Sequence, residues 1–105
     1  MKIKFSVLMS VYESENPSYL NQCLISLFNQ TLRANEVILV EDGPISKSLS
    51  DVIEQFRDKL NIKSIYLKKN SGLAVALNCG LKHCSYDIVA RMDSDDICLP
   101  SRFES

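Results

Sequence analysis

The most constraining stretch of the chain is Glu36-Val37-Ile38-Leu39-Val40, followed directly by Glu41-Asp42-Gly43-Pro44. Four consecutive β-favouring apolar residues do not alternate with polar ones. A strand of this kind is buried on both faces, which is the habit of a parallel sheet covered by helices on either side. The acids and the Gly-Pro turn then stop the strand abruptly. The rest of the chain is punctuated in the same way. Residues 3–11 read as a first strand, 62–67 as a third and 86–92 as a fourth, also buried. Between them lie helical spacings. Leu20, Cys23, Leu24, Leu27 and Phe28 recur on one face after Pro17, a residue suited to a helix start, with Asn16 or Ser18 as its cap. Leu49, Val52, Ile53, Phe56 and Leu60 do so over residues 46–60, and Ala74, Leu77 and Leu81 are the expected inward residues of a helix over 73–81.

Strand and helix alternate, so the expected fold class is α/β, a mostly parallel sheet with helices on both faces and a single domain over residues 1–105. Right-handed crossovers bring every strand's carboxyl end to one edge. Ligands of open α/β sheets bind there. The groups expected on that edge are Ser10-Val11-Tyr12, Glu41-Asp42, Lys68-Lys69-Asn70 and the run Asp93-Ser94-Asp95-Asp96. Three carboxylates within four residues repel one another, and a divalent cation with oxygen ligands offsets that most directly. The ordinary alternative is a solvated acidic turn capping a helix.

Each of the other groups has two readings. Asp42, or Glu41, is a candidate acceptor for a base or ribose donor, while Asp-Gly-Pro is also a turn in its own right. Tyr12 stacks on a base or packs on the first helix. Lys68 and Lys69 approach a diphosphate or are solvated. Asn70-Ser71-Gly72 turns backbone N–H groups toward an anion, or caps the next helix through Asn or Ser. Arg91 is expected to pair with Asp93 or another carboxylate, a structural role.

Several classes are excluded by simpler features. The net charge of −1 leaves no footprint for nucleic acid or an anionic membrane. No apolar run approaches the roughly 18 residues of a membrane span. Residues 1–9 are basic then apolar, but the run is short, alternates with polar residues and lacks a small-residue cleavage site, so it reads as a strand and not as a leader. Cys23, Cys79, Cys84 and Cys98 form no Cys-x-x-Cys pair, and His83 alone is too few for a common zinc pattern. Reduced thiols in a cytosolic setting are expected. The first strand does not end in paired acids, as a phosphoacceptor receiver requires. No Gly-x-Gly-x-x-Gly follows it, as a dinucleotide-binding oxidoreductase requires. Residues 93–98 contain no Gly for a calcium loop.

Taken in order, Ser10-Val11-Tyr12, Leu20/Leu24/Ser26/Leu27 with Asn29-Gln30-Thr31, Val40-Glu41-Asp42-Gly43, Asn70-x-Gly72-x-Ala74-x-Ala76-Leu77-Asn78-x-Gly80 and Asp93-Ser94-Asp95-Asp96 resemble the N-terminal half of family 2 glycosyltransferases with the GT-A fold. The likeness covers essentially the whole chain, and Ala90 to Asp96 with Pro100 and Arg102-Phe103-Glu104 looks like bacterial enzymes that build surface polysaccharide. The resemblance implies a Rossmann-like sheet and a nucleotide-sugar donor, UDP-linked in the first instance. It implies transfer of the sugar to a glycan acceptor and Mn2+ or Mg2+ as cofactor. Asp93-x-Asp95 matches the Asp-x-Asp motif. Asp95 is then the metal ligand, Asp93 a ribose or second metal contact, and Asp96 a metal or sugar contact that orients the pair. Asp42 matches the acid that reads the base, with Tyr12 near the stacking ring and Ser10, Lys69, Asn70 and Gly72 along the donor. Glu41 stands where Asp is more frequent.

In that family the acceptor half and the general base follow the Asp-x-Asp motif, beyond Ser105. The expectation is therefore a truncated chain, inactive in transfer by itself, that self-associates through surface exposed by truncation. The location expected is cytoplasmic, at the inner face of the membrane as the variant for a full-length protein. A non-catalytic nucleotide-binding α/β domain is the alternative.

Overall fold

In the computed structural model, which describes residues 4–30 and 32–92, four parallel strands form one sheet. They are β1 (Phe5–Val11), β2 (Glu36–Glu41), β3 (Ile62–Tyr66) and β4 (Ile88–Arg91), in the order β3-β2-β1-β4. The connections are α1 (Pro17–Phe28), α2 (Lys47–Phe56) and α3 (Leu73–Leu81). β1 and β2 pair from Ser6↔Glu36 to Val11↔Glu41. They are the two central strands, and both are buried nearly throughout.

Alternation along β1 and β2 divides the core into two layers. Phe5, Val7, Met9, Val11, Val37 and Leu39 face α1 and α2, and pack with Leu20, Cys23, Leu24 and Leu27 of α1 and Leu49, Ile53 and Phe56 of α2. Leu8, Ile38 and Val40 face α3 and meet Ala76. Each fully buried Leu or Ile contributes about 1.5–3 kcal/mol relative to exposure, so the α1/α2 side is the larger source of stability.

The helix starts follow local chemistry. Asn16 caps α1, its Oδ1 accepting from Ser18 N at 2.8 Å, with Pro17 in the first turn. Ser46 caps α2, accepting from Leu49 N at 3.2 Å. α2 ends at Phe56, earlier than the apolar spacing predicts, because Asn61 adopts φ 52° and turns the chain into β3. Leu60 is buried nonetheless.

Two expectations need correction. The inward face of α3 is Ala76 and Gly80, with Leu77 half-buried, and not Ala74 and Leu81. Ala74 is exposed and Leu81 is 52% exposed. The reason is close approach: a Cβ on Gly80 would collide with Leu8 Cδ1 and stand 2.7 Å from Val40 Cγ2. The helix is pressed onto β1 and β2 along its smallest residues. β4 is also less buried than its apolar run implies. It is an edge strand among the described residues, with Ile88 54% exposed and Arg91 exposed.

The amino edge of the sheet is held by one acid. Glu36 is 1% exposed and accepts from Ser6 Oγ at 2.6 Å, Ser85 N at 2.6 Å, Ser85 Oγ at 3.1 Å and Lys63 Nζ at 3.0 Å. It thereby ties β1, β3 and the entry to β4 to the start of β2. Asn35 adds a reciprocal pair with Phe5, N to Oδ1 and N to O, each 3.0 Å. Burial opposes ionisation of Glu36, but the bonds from Ser6, Ser85 and Lys63 outweigh it and hold the pKa at about 2 against an ordinary 4.5. No helix among the described residues is long and apolar enough to cross a membrane.

The Gly80 contact predicts that Gly80→Val destabilises the fold by about 1–3 kcal/mol, read as a lower urea midpoint at unchanged slope, whereas Ala74→Val on the exposed face shifts it by less than about 0.5 kcal/mol. For Glu36 the folded pKa lies below the unfolded one. Its contribution is therefore full above pH 4.5 and disappears as pH falls toward 2. A drop of about 2.5 units corresponds to roughly 3 kcal/mol. Glu36→Gln is expected to lower stability by that order at pH 7 and to flatten the decline of stability between pH 5 and 2, measured by urea unfolding across pH.

Candidate functional site

Because the four strands are parallel, their carboxyl ends share one edge. β1 leads there into Ser10, Val11 and Tyr12, and β2 into Glu41 and Asp42. The two remain joined past the ladder, since Asp42 N donates to Val11 O at 2.8 Å. β3 is joined in turn by Leu67 N donating to Glu41 O at 3.0 Å. Met92 N donates to Leu8 O at 3.0 Å, so the chain stays joined to the middle of β1 up to Met92, the last described residue. The acids Asp93, Asp95 and Asp96, with Cys98, lie outside the described residues. So does the expected partner of Arg91.

Strand alternation separates the two acids at the end of β2. Asp42 continues the row of Ile38 and Val40 and lies on the α3 side, as Ser10 does through its pairing with Val40. Glu41 continues the row of Val37 and Leu39 and lies on the α2 side. Burial pushes the Glu41 carboxyl above its ordinary range, the Arg57 charge pulls it down, and Glu54 adds to the rise. Arg57 itself is engaged by Glu54, whose Oε1 accepts from Nε at 2.9 Å and from Nη2 at 2.6 Å.

Asp42 is 5% exposed and both of its oxygens are used. Oδ1 accepts from Ser71 N at 2.7 Å, and Oδ2 accepts from Gly72 N at 3.1 Å. Gly72 N also reaches Asn70 Oδ1 at 3.2 Å, and Ser71 Oγ donates to Lys69 O at 3.1 Å. The N-cap of α3 is Gly72, which offers no side chain. Two backbone N–H groups of residues 70–72 do face an anion, as their place before a helix implies, but that anion is the Asp42 carboxylate. The capping role read for Asn70 or Ser71 is shared: Asn70 Oδ1 takes part at Gly72 N, and Asp42, 29 residues before Ser71, binds both N–H groups.

Gly43 makes this closure possible. Its φ of +87° suits glycine, and a Cβ there would stand 2.6 Å from Asn70 N and 3.0 Å from Lys69 C. The turn after β2 is therefore pressed directly against the backbone of residues 69–70. The sequence reading missed Gly43 as a packing position, although Asp-Gly-Pro already marked a turn. It also missed Arg57 beside Glu41, because that pairing depends on how α2 lies over the sheet.

Among the residues proposed along the edge, Tyr12 is 41% exposed, Lys69, Asn70 and Gly72 are exposed, and Ser10 is half-buried. Ser10, Tyr12, Asp42 and residues 69–72 are thus brought to one region. Glu41 is turned to the other face. Among the described residues no group of three His, Cys, Asp or Glu side chains is placed to hold a metal. Among the described residues no disulfide joins Cys23, Cys79 or Cys84.

The comparisons with known proteins agree on one family. A family model described as "Glycosyl transferase family 2" matches residues 6–105. The amylovoran biosynthesis glycosyltransferase AmsE of Erwinia amylovora is 54% identical over 100 residues, which is 95% of this chain and 38% of that protein. An Escherichia coli UDP-Gal:alpha-D-GlcNAc-diphosphoundecaprenol beta-1,3-galactosyltransferase is 46% identical over 101 residues, 96% of this chain and 37% of that protein. The crystal structure of S. aureus TarS 1-349 in complex with UDP superposes with a TM-score of 0.84 at 32% identity, covering 97% of this chain and 30% of that one. The chain thus spans under two fifths of the length of these curated relatives.

The two glycines of the edge predict different costs. Gly43→Ala combines strain at positive φ with a backbone collision and is expected to lower stability by about 2–3 kcal/mol. Gly72→Ala, at φ +97° but with open space around its Cβ position, is expected to cost only about 1–2 kcal/mol of strain. Urea midpoints of the two variants check the order.

Proposed function

Because the chain belongs to glycosyl transferase family 2, we propose that it forms the donor-binding part of a glycosyltransferase. The donor is a nucleoside-diphosphate sugar, UDP-linked, and the acceptor is a growing glycan of a bacterial surface polysaccharide. The observation that carries the reading is the gathering of Ser10, Tyr12, Asp42 and residues 69–72 on the carboxyl edge, next to the strand that leads into Asp93. The names of the relatives support it: one is an amylovoran biosynthesis glycosyltransferase, one is named for UDP-Gal, and TarS was crystallised with UDP.

In this reading Tyr12, exposed at the end of β1, stacks on the base, and Asp42 accepts a hydrogen bond from it. A carboxylate oxygen has two lone pairs, so Asp42 retains acceptor capacity beside the Ser71 and Gly72 bonds. Ser10 and Gly72 line the approach to the ribose. Lys69 and Asn70, on the exposed loop, meet the diphosphate, and Glu41 sets the shape of the base end from behind. Asp93, Asp95 and Asp96 would hold Mn2+ or Mg2+. Their hard carboxylate oxygens fit such a cation, and the described residues offer no rival cluster. The cation, when bound, supplies Lewis-acid stabilisation of the leaving diphosphate. Lys69 adds positive charge there, and the sheet edge holds the leaving group in one orientation. In this reading the general base is none of these residues, and the absence of a disulfide among the described cysteines suits a reducing, cytoplasmic setting.

Calorimetry with UDP, with and without manganese, tests this assignment. Manganese is expected to raise UDP affinity at least about tenfold, a gap of 1.4 kcal/mol, and Asp95→Ala to abolish that gain. UDP affinity indifferent to manganese, or unchanged in Asp95→Ala, overturns it.

A further inference from the structure

Asp42 holds a position that a base-reading acid does not need. It is buried, it is far in sequence from the loop it touches, and it spends one carboxylate oxygen on each of two consecutive backbone N–H groups, those of Ser71 and Gly72. That loop carries Lys69 and Asn70, both exposed. Its other side is braced by Gly43, whose Cα lies so close to the backbone of residues 69–70 that no side chain fits between them. Within the loop Asn70 Oδ1 accepts from Gly72 N at 3.2 Å and Ser71 Oγ donates to Lys69 O at 3.1 Å, while Ser71 N is bound by Asp42 and the N-cap residue Gly72 offers no side chain. Beyond these local bonds, what fixes the loop against the sheet is the turn after β2.

We propose that Asp42 is a positioning residue, which fixes residues 69–72 at the carboxyl edge and so sets where Lys69 meets a nucleoside diphosphate. This rests on the donor-binding reading above and adds to it a route by which Asp42 acts on the phosphates and not only on the base. The physical reason is charge-assisted bonding in a buried setting. A carboxylate bound to two N–H groups is worth more than the neutral amide that replaces it. An Asn at this position has one acceptor oxygen, and its NH2 group confronts the second N–H. The latch is then half-open while the fold of β1 and β2 is untouched.

Two measurements on the chain separate this role from direct base contact. Amide exchange without ligand is expected to rise about tenfold or more at Ser71 and Gly72 in Asp42→Asn, with β1 and β2 unchanged, since a hydrogen bond to a charged group governs their opening. UDP binding with manganese is then measured in Asp42→Asn, Lys69→Ala and the double variant. Each single variant is expected to lose about tenfold, and the double variant little more than either, because both act through the same loop. Ser71→Pro, which deletes a donor and leaves the carboxylate intact, is the second route, and it too is expected to weaken UDP binding. Unchanged exchange at Ser71 and Gly72, additive losses in the cycle, or full UDP affinity in Ser71→Pro overturns the proposal alone. Absence of UDP binding by the unmodified chain instead overturns the functional reading, and the proposal with it.

Discussion

Everything in this molecule depends on the parallel pairing of β1 and β2. Six residues of each strand lie in register, with apolar side chains buried on both faces. Parallel pairing cannot be closed by a tight turn, so each strand must be followed by a crossover helix. The crossovers in turn bring all strand ends of one polarity to the same edge. The shared edge at which the donor site is proposed is thus a by-product of how the core is buried. No residue of the proposed site had to be placed individually for Ser10, Asp42 and the loop before α3 to come together.

One buried acid, Glu36, opens β2 and another, Asp42, directly follows its last residue, and the two serve different ends of the sheet. Glu36 is buried at the amino edge, where hydroxyls, a backbone N–H and Lys63 compensate it fully. Its depressed pKa reports that compensation. Asp42 is buried at the carboxyl edge and is compensated by backbone N–H groups alone. A buried carboxylate without partners would cost several kcal/mol, so each acid compels a distant segment to come to it. Glu36 recruits the entry to β4, and Asp42 recruits the start of α3. The same physics makes one of them a staple of the amino edge and sets the other at the carboxyl edge, where the donor site is proposed.

The two faces of the sheet are built on different principles. The α1/α2 side is filled by large side chains, and its stability is spread over many contacts. The α3 side is thin. It relies on Ala76 and Gly80 to bring the helix close to Leu8, Ile38 and Val40. Close approach also brings the amino end of α3 against Gly43 and Asp42, so the glycine-mediated packing and the loop latch are parts of one arrangement. This explains why the inward face of α3 consists of its smallest residues.

From the residue pattern alone, the order and type of the seven elements among the described residues were legible, as were the parallel sheet, the two-sided helix cover and the family. Apolar runs and helical spacings report burial, and burial is what a layered α/β fold is made of. The cap at Asn16 and the turn at Gly43 were legible too, being local chemistry between neighbours. Three things were decided only by tertiary structure. The inward face of α3 was one, because a glycine carries no hydrophobic signal and its value lies in what it lets approach. The separation of Glu41 from Asp42 was another, since adjacent strand residues point apart and only packing says which face each one meets. The last was the partner of Asp42. A carboxylate and two backbone N–H groups 29 and 30 residues away leave no mark in side-chain sequence, because every residue but proline offers the same N–H, and only the fold selects which ones an acid will find.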